Sequence, residues 1–375
     1  VNGDARRRVL LFKAGDQAQN PMDLKLSDMF GSSPKTIMAD TYVPRKYEEV
    51  IYDPKEIYAY VAQVLQLEAV ACKDWLTNKV DRCVGGKVAK QQCCGSLQLP
   101  LNDVGVMALD YQGIKGIATS IGHAAASALI DEKAGSKNAI AEALTNIVWA
   151  PLENDLASVS LSANWMWPCR NPGEDARLYS AVEAASEFAI ALGINIPTGK
   201  DSLSMKQKYP DAEVLSPGTV IISAAGQCAD VRKVVEPVLR VTENNRILYI
   251  DFSCDDLELG GSSFAQTITK VGSKTPTIRD DAYFKKAFNA VQALIKKDLV
   301  LAGHDISAGG LITALLEMCF PEVNTGALIN LQVLAEKDPV KLLFAENSAV
   351  LLQTDQVKET EEFLQKAGIG YAVIG

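Results

Sequence analysis

Two polar side chains in one short segment have the types and spacing that could hold a divalent cation. Glu142 and Asn146 are four residues apart in the segment 138–146, and on a helix this spacing places a carboxylate and a carboxamide on one face. Oxygen ligands of these kinds suit Mg²⁺. An exposed polar pair on a helix surface has the same spacing, so the pair by itself leaves both interpretations open.

Two aspartates at turns extend this candidate set. Asp103 precedes a segment that favours a strand, where an aspartate is either a metal ligand or an ordinary turn residue. Asp305 lies in the segment 303–311, in which an apolar run meets a Gly-Gly step that opens a helix. Glycines there let backbone N–H groups approach a phosphate, and a helix N-terminus favours negative charge. The alternative for this segment is plain N-capping of the helix by Ser307.

Two further glycine-rich segments, 259–263 and 198–202, could cradle phosphate oxygens in the same way. Neither fits the P-loop pattern, and no G-x-G-x-x-G segment follows a predicted strand. Lys73, Lys87 and Lys200 supply positive charge that would suit a polyphosphate. Acidic ligands, glycine turns and lysines together indicate a magnesium-nucleotide protein without the standard nucleotide-binding motifs.

The composition restricts the class of protein. The 375 residues carry a net charge of −9 and are 48% hydrophobic, which is enough for a sizeable core and excludes a disordered or fibrous chain. The acidic balance argues against nucleic-acid binding, which needs a basic face. No apolar run approaches the ~20 residues that span a bilayer, and no signal segment is recognised, so we expect a cytoplasmic protein without a membrane partner.

The scarce residue types restrict the metal chemistry. His123 and His304 are the two histidines and are far apart in sequence, so a histidine-rich zinc site is not expected. The eight cysteines form no C-x-x-C pair and indicate reduced thiols rather than a disulfide framework. Any metal is therefore expected to be a hard cation held by carboxylates.

Alternating helices and strands must position these residues. Helices are predicted at 54–78, 124–132, 137–149, 174–192, 284–297 and 311–320. Strands are predicted at 104–111, 116–121, 159–163, 219–225, 246–252, 299–302, 348–352, 371–374 and near 327–331. The pattern predicts an α/β (α+β) fold in which residues 1–55 form a linker, 56–237 an N-terminal domain and 238–375 a C-terminal domain. The start at Val1 and the strand-like run at 368–375 predict a piece of a longer polypeptide.

Eight segments of the chain match one protein family in order and spacing. They are residues 81–89, 97–103, 142–146, 161–166, 172–176, 199–205, 259–262 and 304–311. Through them the chain resembles the second half of the synthetase region of the large phosphoribosylformylglycinamidine synthases, which are purine-biosynthetic ligases. The resemblance extends over almost the whole chain.

This resemblance implies an architecture. The family's synthetase region consists of two tandem units similar to aminoimidazole ribonucleotide synthetase, each with an N-terminal and a C-terminal subdomain, and the two N-terminal subdomains form a shared β-barrel. The chain is similar to the second unit. The first unit and the glutaminase domain would lie outside it, so we expect a homodimer that mimics the tandem pair.

The resemblance also implies an activity and a set of site residues. With ATP and Mg²⁺ the family phosphorylates formylglycinamide ribonucleotide, and ammonia from glutamine then displaces phosphate to give the amidine. Asp103, Glu142, Asn146 and Asp305 resemble the family's magnesium ligands. The resemblance further implies nucleotide contacts from Asn102, Ser307 and Lys73. In large-type relatives this second site is similar to an auxiliary one that holds ADP, so we expect nucleotide holding without turnover and assign no catalytic residue.

One departure and two alternatives accompany this interpretation. Cys83 stands where many relatives have a hydroxyl residue, which would weaken a phosphate or substrate contact. The first alternative is a free-standing kinase of the same superfamily, of the thiamine-phosphate or selenophosphate type. The start of the sequence at Val1 and the long N-terminal segment, which a free-standing kinase would not need, argue against it. The second is a structural module that binds no nucleotide in isolation.

Overall fold

The computed structural model describes residues 9–12, 22–31, 37–77 and 86–375. Its contacts divide the chain into two compact units, Val1–Asp40 and Thr41–Gly375. In the first unit, strands β1 (Val9–Phe12) and β2 (Met22–Lys25) pair antiparallel and are followed by helix α1 (Leu26–Phe30). Cys83, and with it the expected loss of a hydroxyl contact, lies outside the described residues. Among the described helices, none has the length and apolar character needed to cross a bilayer.

The N-terminal part of the second unit is built on a six-stranded sheet. Its helices are α2 (Ile57–Val64), α3 (Asp74–Thr77), α4 (Ala125–Ile130), α5 (Glu132–Ile147) and α6 (Glu174–Leu192). Its strands are β3 (Val88–Lys90), β4 (Gly105–Ala108), β5 (Gly116–His123), β6 (Val159–Met166), β7 (Asn195–Ser202), β8 (Lys206–Lys208), β9 (Glu213–Leu215) and β10 (Thr219–Cys228). The sheet order is β3-β4-β5-β10-β6-β7, antiparallel except for the β6–β7 pair, and β8 and β9 form a separate hairpin.

The two faces of this sheet differ in character. Along β5 buried and exposed residues alternate strictly, as period-two geometry requires when one face is packed. The packed face lies against α5, whose Ile140, Leu144 and Ile147 are fully buried. The other face exposes Ile117 and Ile121, which are 45% and 59% accessible. An open apolar sheet face of this kind is a candidate interface.

Two predictions in the N-terminal part are wrong. The helix expected at 54–78 is interrupted after Val64, because the Gln66 and Leu67 N–H groups bond to the carbonyl oxygens three residues back, those of Gln63 and Val64, and the chain continues in turns. The segment 198–202, expected to be a phosphate turn, belongs to strand β7. Its Gly199 allows close approach to β6, since a Cβ atom there would lie 2.1 Å from the Ala163 carbonyl oxygen.

The C-terminal part contains a four-stranded antiparallel sheet in the order β12-β13-β11-β14. Its strands are β11 (Arg246–Asp251), β12 (Ala302–Ile306), β13 (Ala349–Thr354) and β14 (Ala372–Val373). Its helices are α7 (Ser263–Thr267), α8 (Asp281–Lys296), α9 (Gly310–Cys319), α10 (Pro339–Phe344) and α11 (Val357–Ala367). Helices cover both faces: Leu248 and Ile250 pack into the core that contains Phe284 of α8, whereas Ile247 packs with Leu315 of α9.

Two strand predictions in the C-terminal part are wrong. The strand expected at 299–302 begins at Ala302, because the Leu299 N–H bonds to the Leu294 carbonyl oxygen and closes helix α8 first. No strand forms at 327–331; the Asn330 side chain accepts the Gln332 N–H and turns the chain there.

The two domains share one core, which fixes their relative position. The fully buried Gln292 of α8 donates to the carbonyl oxygens of Val148 and Ala150 and accepts the Leu152 N–H at 2.8 Å. A buried amide that satisfies several backbone groups of the other domain holds the two surfaces in one register.

The segment after Asp40 also joins the two domains. Arg45 pairs with the buried Glu174 of α6, and the Tyr52 hydroxyl donates to Asp338 Oδ2 at 2.6 Å at the start of α10. Arg45 and Tyr52, which the sequence assigns to the linker of residues 1–55, therefore contact both domains, and the division of the chain by its contacts comes after Asp40. The domain boundaries at 55 and 237 stay predictions.

Candidate functional site

The centre of the site is a buried cluster of Asp103, His304 and Asp305. Asp103 stands just before β4 of the N-terminal domain, and His304 and Asp305 are consecutive residues of β12 in the C-terminal domain. Each offers one possible ligand atom, and these atoms lie within 4.8 Å of one another. The Asp305 N–H donates to Asp103 Oδ2 at 3.4 Å. Residues 202 positions apart in sequence thus form one acidic group across the domain boundary.

His304 has a carboxylate at each ring nitrogen. Its Nδ1 atom lies 2.8 Å from Asp103 Oδ1, and its Nε2 atom lies 2.9 Å from Glu317 Oε2 on α9. Burial lowers the pKa of His304, but the negative charges of Asp103 and Glu317 outweigh it and hold that pKa well above the usual value. The imidazole is therefore positioned to carry a positive charge between two carboxylates.

The two aspartates are costly to ionise in this setting. Burial raises the pKa of Asp103, and the charge of His304 counteracts part of the effect. Burial also raises the pKa of Asp305 well above its usual range, with a further contribution from the negative charge of Asp103. Two buried carboxylates with one imidazole between them lack a full complement of positive charge, and a bound cation would supply it.

Glu142 of α5 faces a neighbouring part of the same domain boundary. Its Oε2 atom accepts the His123 N–H at 2.8 Å. Burial raises the pKa of Glu142 to about 8. The hydrogen bond from His123 lowers this pKa, and the negative charge of Glu346 raises it. The charge of Glu142 in turn raises the pKa of Asp305, so the two groups interact electrostatically.

Two cavities of similar volume flank these side chains, about 840 and 820 Å³. The first, here called the interdomain cavity, is lined among others by Lys73, His123, Asn138, Glu142, Gly261, Ser262, Ser263, Ser307 and Glu346. The second, here called the sheet cavity, is lined among others by Asn102, Asp103, Ser120, Asn146, Ser162, Ser223, His304, Asp305, Ser307 and Glu317. Ser307 borders both, so the two cavities adjoin at the turn before α9.

The predicted ligands are therefore only partly brought together. Asp103, Asn146 and Asp305 line the sheet cavity, and the amide nitrogen of Asn146 donates to the Ile121 carbonyl oxygen at 3.0 Å. Glu142 lines the interdomain cavity instead. Whether all four bind one cation stays a prediction. Glu142 and Asn146 each make a contact to β5, so the alternative of a free exposed pair does not describe them.

The predicted nucleotide contacts are distributed in the same way. Asn102 lines the sheet cavity, where its amide nitrogen donates to the Gln91 carbonyl oxygen at 2.7 Å. Lys73 lines the interdomain cavity, and its ammonium group also bonds backbone carbonyl oxygens. Two other lysines of the sequence analysis make structural contacts: Lys87 donates to the Leu109 carbonyl oxygen at 2.8 Å, and Lys200 contacts Ser202.

The glycine turns at 259–263 and 303–311 open helices α7 and α9, as the sequence predicts. Some of their backbone N–H groups are already hydrogen-bonded within the protein. Glu346 Oε1 accepts the N–H of Ser263 at 2.8 Å and that of Gly309 at 2.7 Å. Helix α9 has Gly309 at its N-cap, with a left-handed φ of 91°, so Ser307 is not the N-cap residue. Ser262 does cap α7.

Sequence reasoning missed three functional candidates. The sequence analysis left His304 without a role and did not consider Glu317 or Glu346. Glu317 lies thirteen residues after His304 on a helix, and Glu346 is an isolated carboxylate in a loop. No periodic or motif signal marks either residue, since their contacts are set by tertiary packing.

The donor set fits a hard divalent cation. Asp305 Oδ2 and Asn102 Oδ1 are buried oxygen atoms without a hydrogen-bond partner among the described residues. Buried polar atoms are nearly always paired, so an unpaired carboxylate oxygen beside a second carboxylate suits a metal ligand. Carboxylate and amide oxygens are what Mg²⁺ takes from proteins.

Two α/β domains that share a core and border acidic cavities define the chain as a protein of the AIR synthase-related class. The family described as "AIR synthase related protein, C-terminal domain" matches residues 242–375. The family described as "FGAR-AT PurM_N-like domain" matches residues 72–227. Over both domains the chain is similar to the phosphoribosylformylglycinamidine synthases, which confirms the resemblance found in the sequence.

Curated relatives are similar to this chain over part of their own length. Human phosphoribosylformylglycinamidine synthase is 39% identical over 338 residues, which cover 90% of the chain and 25% of the relative. The probable phosphoribosylformylglycinamidine synthase of Caenorhabditis elegans is 37% identical over 383 residues, covering 99% and 28%. The chain thus spans about a quarter of the length of these relatives. Their names as synthases give no support to the free-standing kinase alternative.

Solved structures confirm the fold. PurL of Thermotoga maritima, solved in complex with FGAR, matches with a TM-score of 0.62 at 15% identity and covers 85% of this chain and 48% of that chain. The same protein in complex with ADP matches with a TM-score of 0.53 at 14% identity, covering 73% and 41%.

Proposed function

We propose that this chain holds a magnesium-nucleotide, in the form of ADP, between its two domains, as an auxiliary site of a phosphoribosylformylglycinamidine synthase. The observation that carries the proposal is the buried Asp103–Asp305 pair, with Asp305 Oδ2 unpartnered among the described residues, next to the turn that opens α9. A helix N-terminus beside a carboxylate-held cation suits a polyphosphate.

The whole-protein activity is part of the proposal. In the longer protein, ATP and FGAR are the substrates, ammonia comes from a glutaminase domain, and the product is the amidine. Complexes of Thermotoga maritima PurL with FGAR, with ATP and with ADP support this assignment. The first synthetase unit would supply the main active site, so the chain alone is expected to be inactive, and no catalytic residue is assigned in it.

Each residue of the site has a defined part in this account. Asp103 and Asp305 would hold the cation from opposite domains, and His304 orients Asp103 through the 2.8 Å contact. Asn146 and Glu142 extend the oxygen set toward the two cavities, and Ser307, Asn102 and Lys73 would contact the nucleotide. When bound, Mg²⁺ neutralises polyphosphate charge. The protein contributes positioning and a partly desolvated environment.

Nucleotide that accompanies the purified chain gives a direct test. Mass spectrometry of the small molecules released by denaturing the protein is expected to detect ADP. A sample treated with EDTA and desalted before denaturation is expected to release much less, because the cation links nucleotide to protein. If no nucleotide is released and the chain also binds no added ADP in millimolar Mg²⁺, the structural-module alternative is correct.

We also propose that the exposed face of the six-stranded sheet forms a homodimer, in place of the barrel made by the tandem units. Its exposed apolar residues, Met107 on β4 and Ile117 and Ile121 on β5, lie together on the unpacked side. Apolar patches of this kind are normally covered. A symmetric dimer, in which two copies of the chain pair through this same face, is the simplest way to cover the patch.

Light scattering with size-exclusion chromatography tests the dimer. The wild-type chain is expected at twice its monomer mass, and Ile117→Lys is expected to be monomeric because it buries a charge in the interface. Ile190→Lys is the matched control, since Ile190 is 74% exposed on α6 and not on the sheet. A monomeric wild type at all concentrations, or dissociation by the control alone, contradicts the proposal.

A further inference from the structure

Glu346 connects the two turns that face the interdomain cavity. It stands in the loop between α10 and β13 and belongs to neither turn. Its Oε1 atom accepts the N–H of Ser263, at the start of α7, and the N–H of Gly309, at the N-cap of α9. The donor–acceptor distances are 2.8 and 2.7 Å, at the short end of the range for N–H···O hydrogen bonds. One oxygen atom thus joins three separate segments of the C-terminal domain.

Ordering the two turns in this arrangement costs conformational entropy. Gly261 and Gly309 both adopt left-handed backbone angles, with φ of 75° and 91°. A Cβ atom at Gly261 would lie 2.9 Å from the Ser127 backbone, so that turn also touches the N-terminal domain. Glycine-rich turns lose more conformational entropy on ordering than other segments. A shared acceptor that fixes both turns would remove part of that cost before a ligand arrives.

The cavity wall that these turns form faces α5. Ser262, Ser263 and Ser307 line the cavity on one side, and Asn138 and Glu142 of α5 line it on the other. The position of Glu346 in the same cavity, and the effect of its charge on Glu142, place its carboxylate within the electrostatic reach of the site.

We propose that Glu346 is a positioning residue, which ties the turns before α7 and α9 into one preformed wall of the interdomain cavity by accepting the Ser263 and Gly309 N–H groups. This inference rests on the proposed function, since the wall is preformed for a nucleotide. The role requires the oxygen acceptor and not the charge. A glutamine amide oxygen can accept the same two hydrogen bonds, whereas alanine has no acceptor.

Hydrogen exchange of the nucleotide-free chain tests the connection independently of nucleotide binding. In Glu346→Ala, peptides that cover residues 262–266 and 308–312 are expected to exchange at least about 100-fold faster than in wild type, because both turns open locally. In Glu346→Gln, protection of both peptides is expected to be retained. Asp280→Ala is the matched control: Asp280 accepts the Tyr283 N–H at the start of α8, away from the cavity.

Calorimetry of ADP binding in millimolar Mg²⁺ tests the positioning. We expect binding at least about tenfold weaker in Glu346→Ala, which loses two hydrogen bonds, and affinities within about threefold of wild type in Glu346→Gln, which keeps the acceptor, and in Asp280→Ala. Unchanged exchange in Glu346→Ala, or a Glu346→Gln variant as weak as Glu346→Ala, overturns the inference. A wild-type chain that binds no ADP overturns the proposed function, and the exchange result separates the two failures.

Discussion

Replacing Asp305 with asparagine is expected to weaken ADP binding in Mg²⁺ by at least about 100-fold. Even groups that only orient a metal ligand cost 10–100-fold when removed, so loss of a direct carboxylate ligand costs about 100-fold or more. The side chain keeps its shape, and Asp305 is 3% exposed, so the substitution changes charge more than packing. Titration calorimetry with ADP, with and without Mg²⁺, measures the effect.

Companion variants make this result specific. Asp103→Asn is expected to match Asp305→Asn, because the two carboxylates meet across the domain boundary. Glu142→Gln tests the ligand that lies in the adjoining cavity, and a loss of the same size would support a shared cation. Asp298→Asn, at a 69% exposed side chain paired with Lys233, is the control and is expected to bind as wild type. Wild-type affinity in Asp103→Asn and Asp305→Asn contradicts the ligand assignment.

Arg177→Ala is expected to lower the free energy of unfolding by about 3–5 kcal/mol, because it removes the buried counter-charge of Glu132 and one of the two counter-charges of Glu174, which keeps only Arg45. Arg177 is 2% exposed, and its guanidinium lies 2.8 Å from Glu174 and 3.6 Å from Glu132. It also donates to the Ala128 carbonyl oxygen and stacks over Trp167. Urea denaturation followed by circular dichroism measures the change.

The matched control for this prediction is an exposed ion pair. Arg232→Ala removes a pair with Asp230 at 2.7 Å, but the Arg232 side chain is 69% exposed. Surface pairs contribute at most about 1 kcal/mol, so the control is expected to change stability little. An Arg177→Ala variant within about 1 kcal/mol of wild type would show that Glu132 and Glu174 are compensated in another way.

Helices with strong local signals were predictable from sequence. The helix predicted at 174–192 is confirmed at both ends as α6, because a Pro-Gly step precedes it and Gly193 closes it with a left-handed φ of 76°. Local chemistry decides such an element. The strand β7 was missed for the opposite reason. Its glycine and lysine residues have low strand propensity, and it is a strand because it pairs in parallel with β6.

Some residues of the site could likewise be predicted from local sequence, whereas others depend on long-range contacts. Asp103 and Asp305 could each be predicted as a candidate metal ligand because each lies at a turn. Their contact, however, depends on the shared core that brings β12 to the start of β4. The family resemblance supplied the connection that spacing could not. His304, Glu317 and Glu346 carry no local signal, because each acts through a partner far away in sequence.

A crystal structure of the chain with ADP and Mn²⁺, with anomalous diffraction data collected to locate the metal, most directly tests the account. The central claim predicts an anomalous peak in contact with carboxylate oxygens of both Asp103 and Asp305, and diphosphate density that reaches the same ion from the turn at Ser307. A peak held by other residues, or ordered ADP whose phosphates lie away from these two carboxylates, would contradict it.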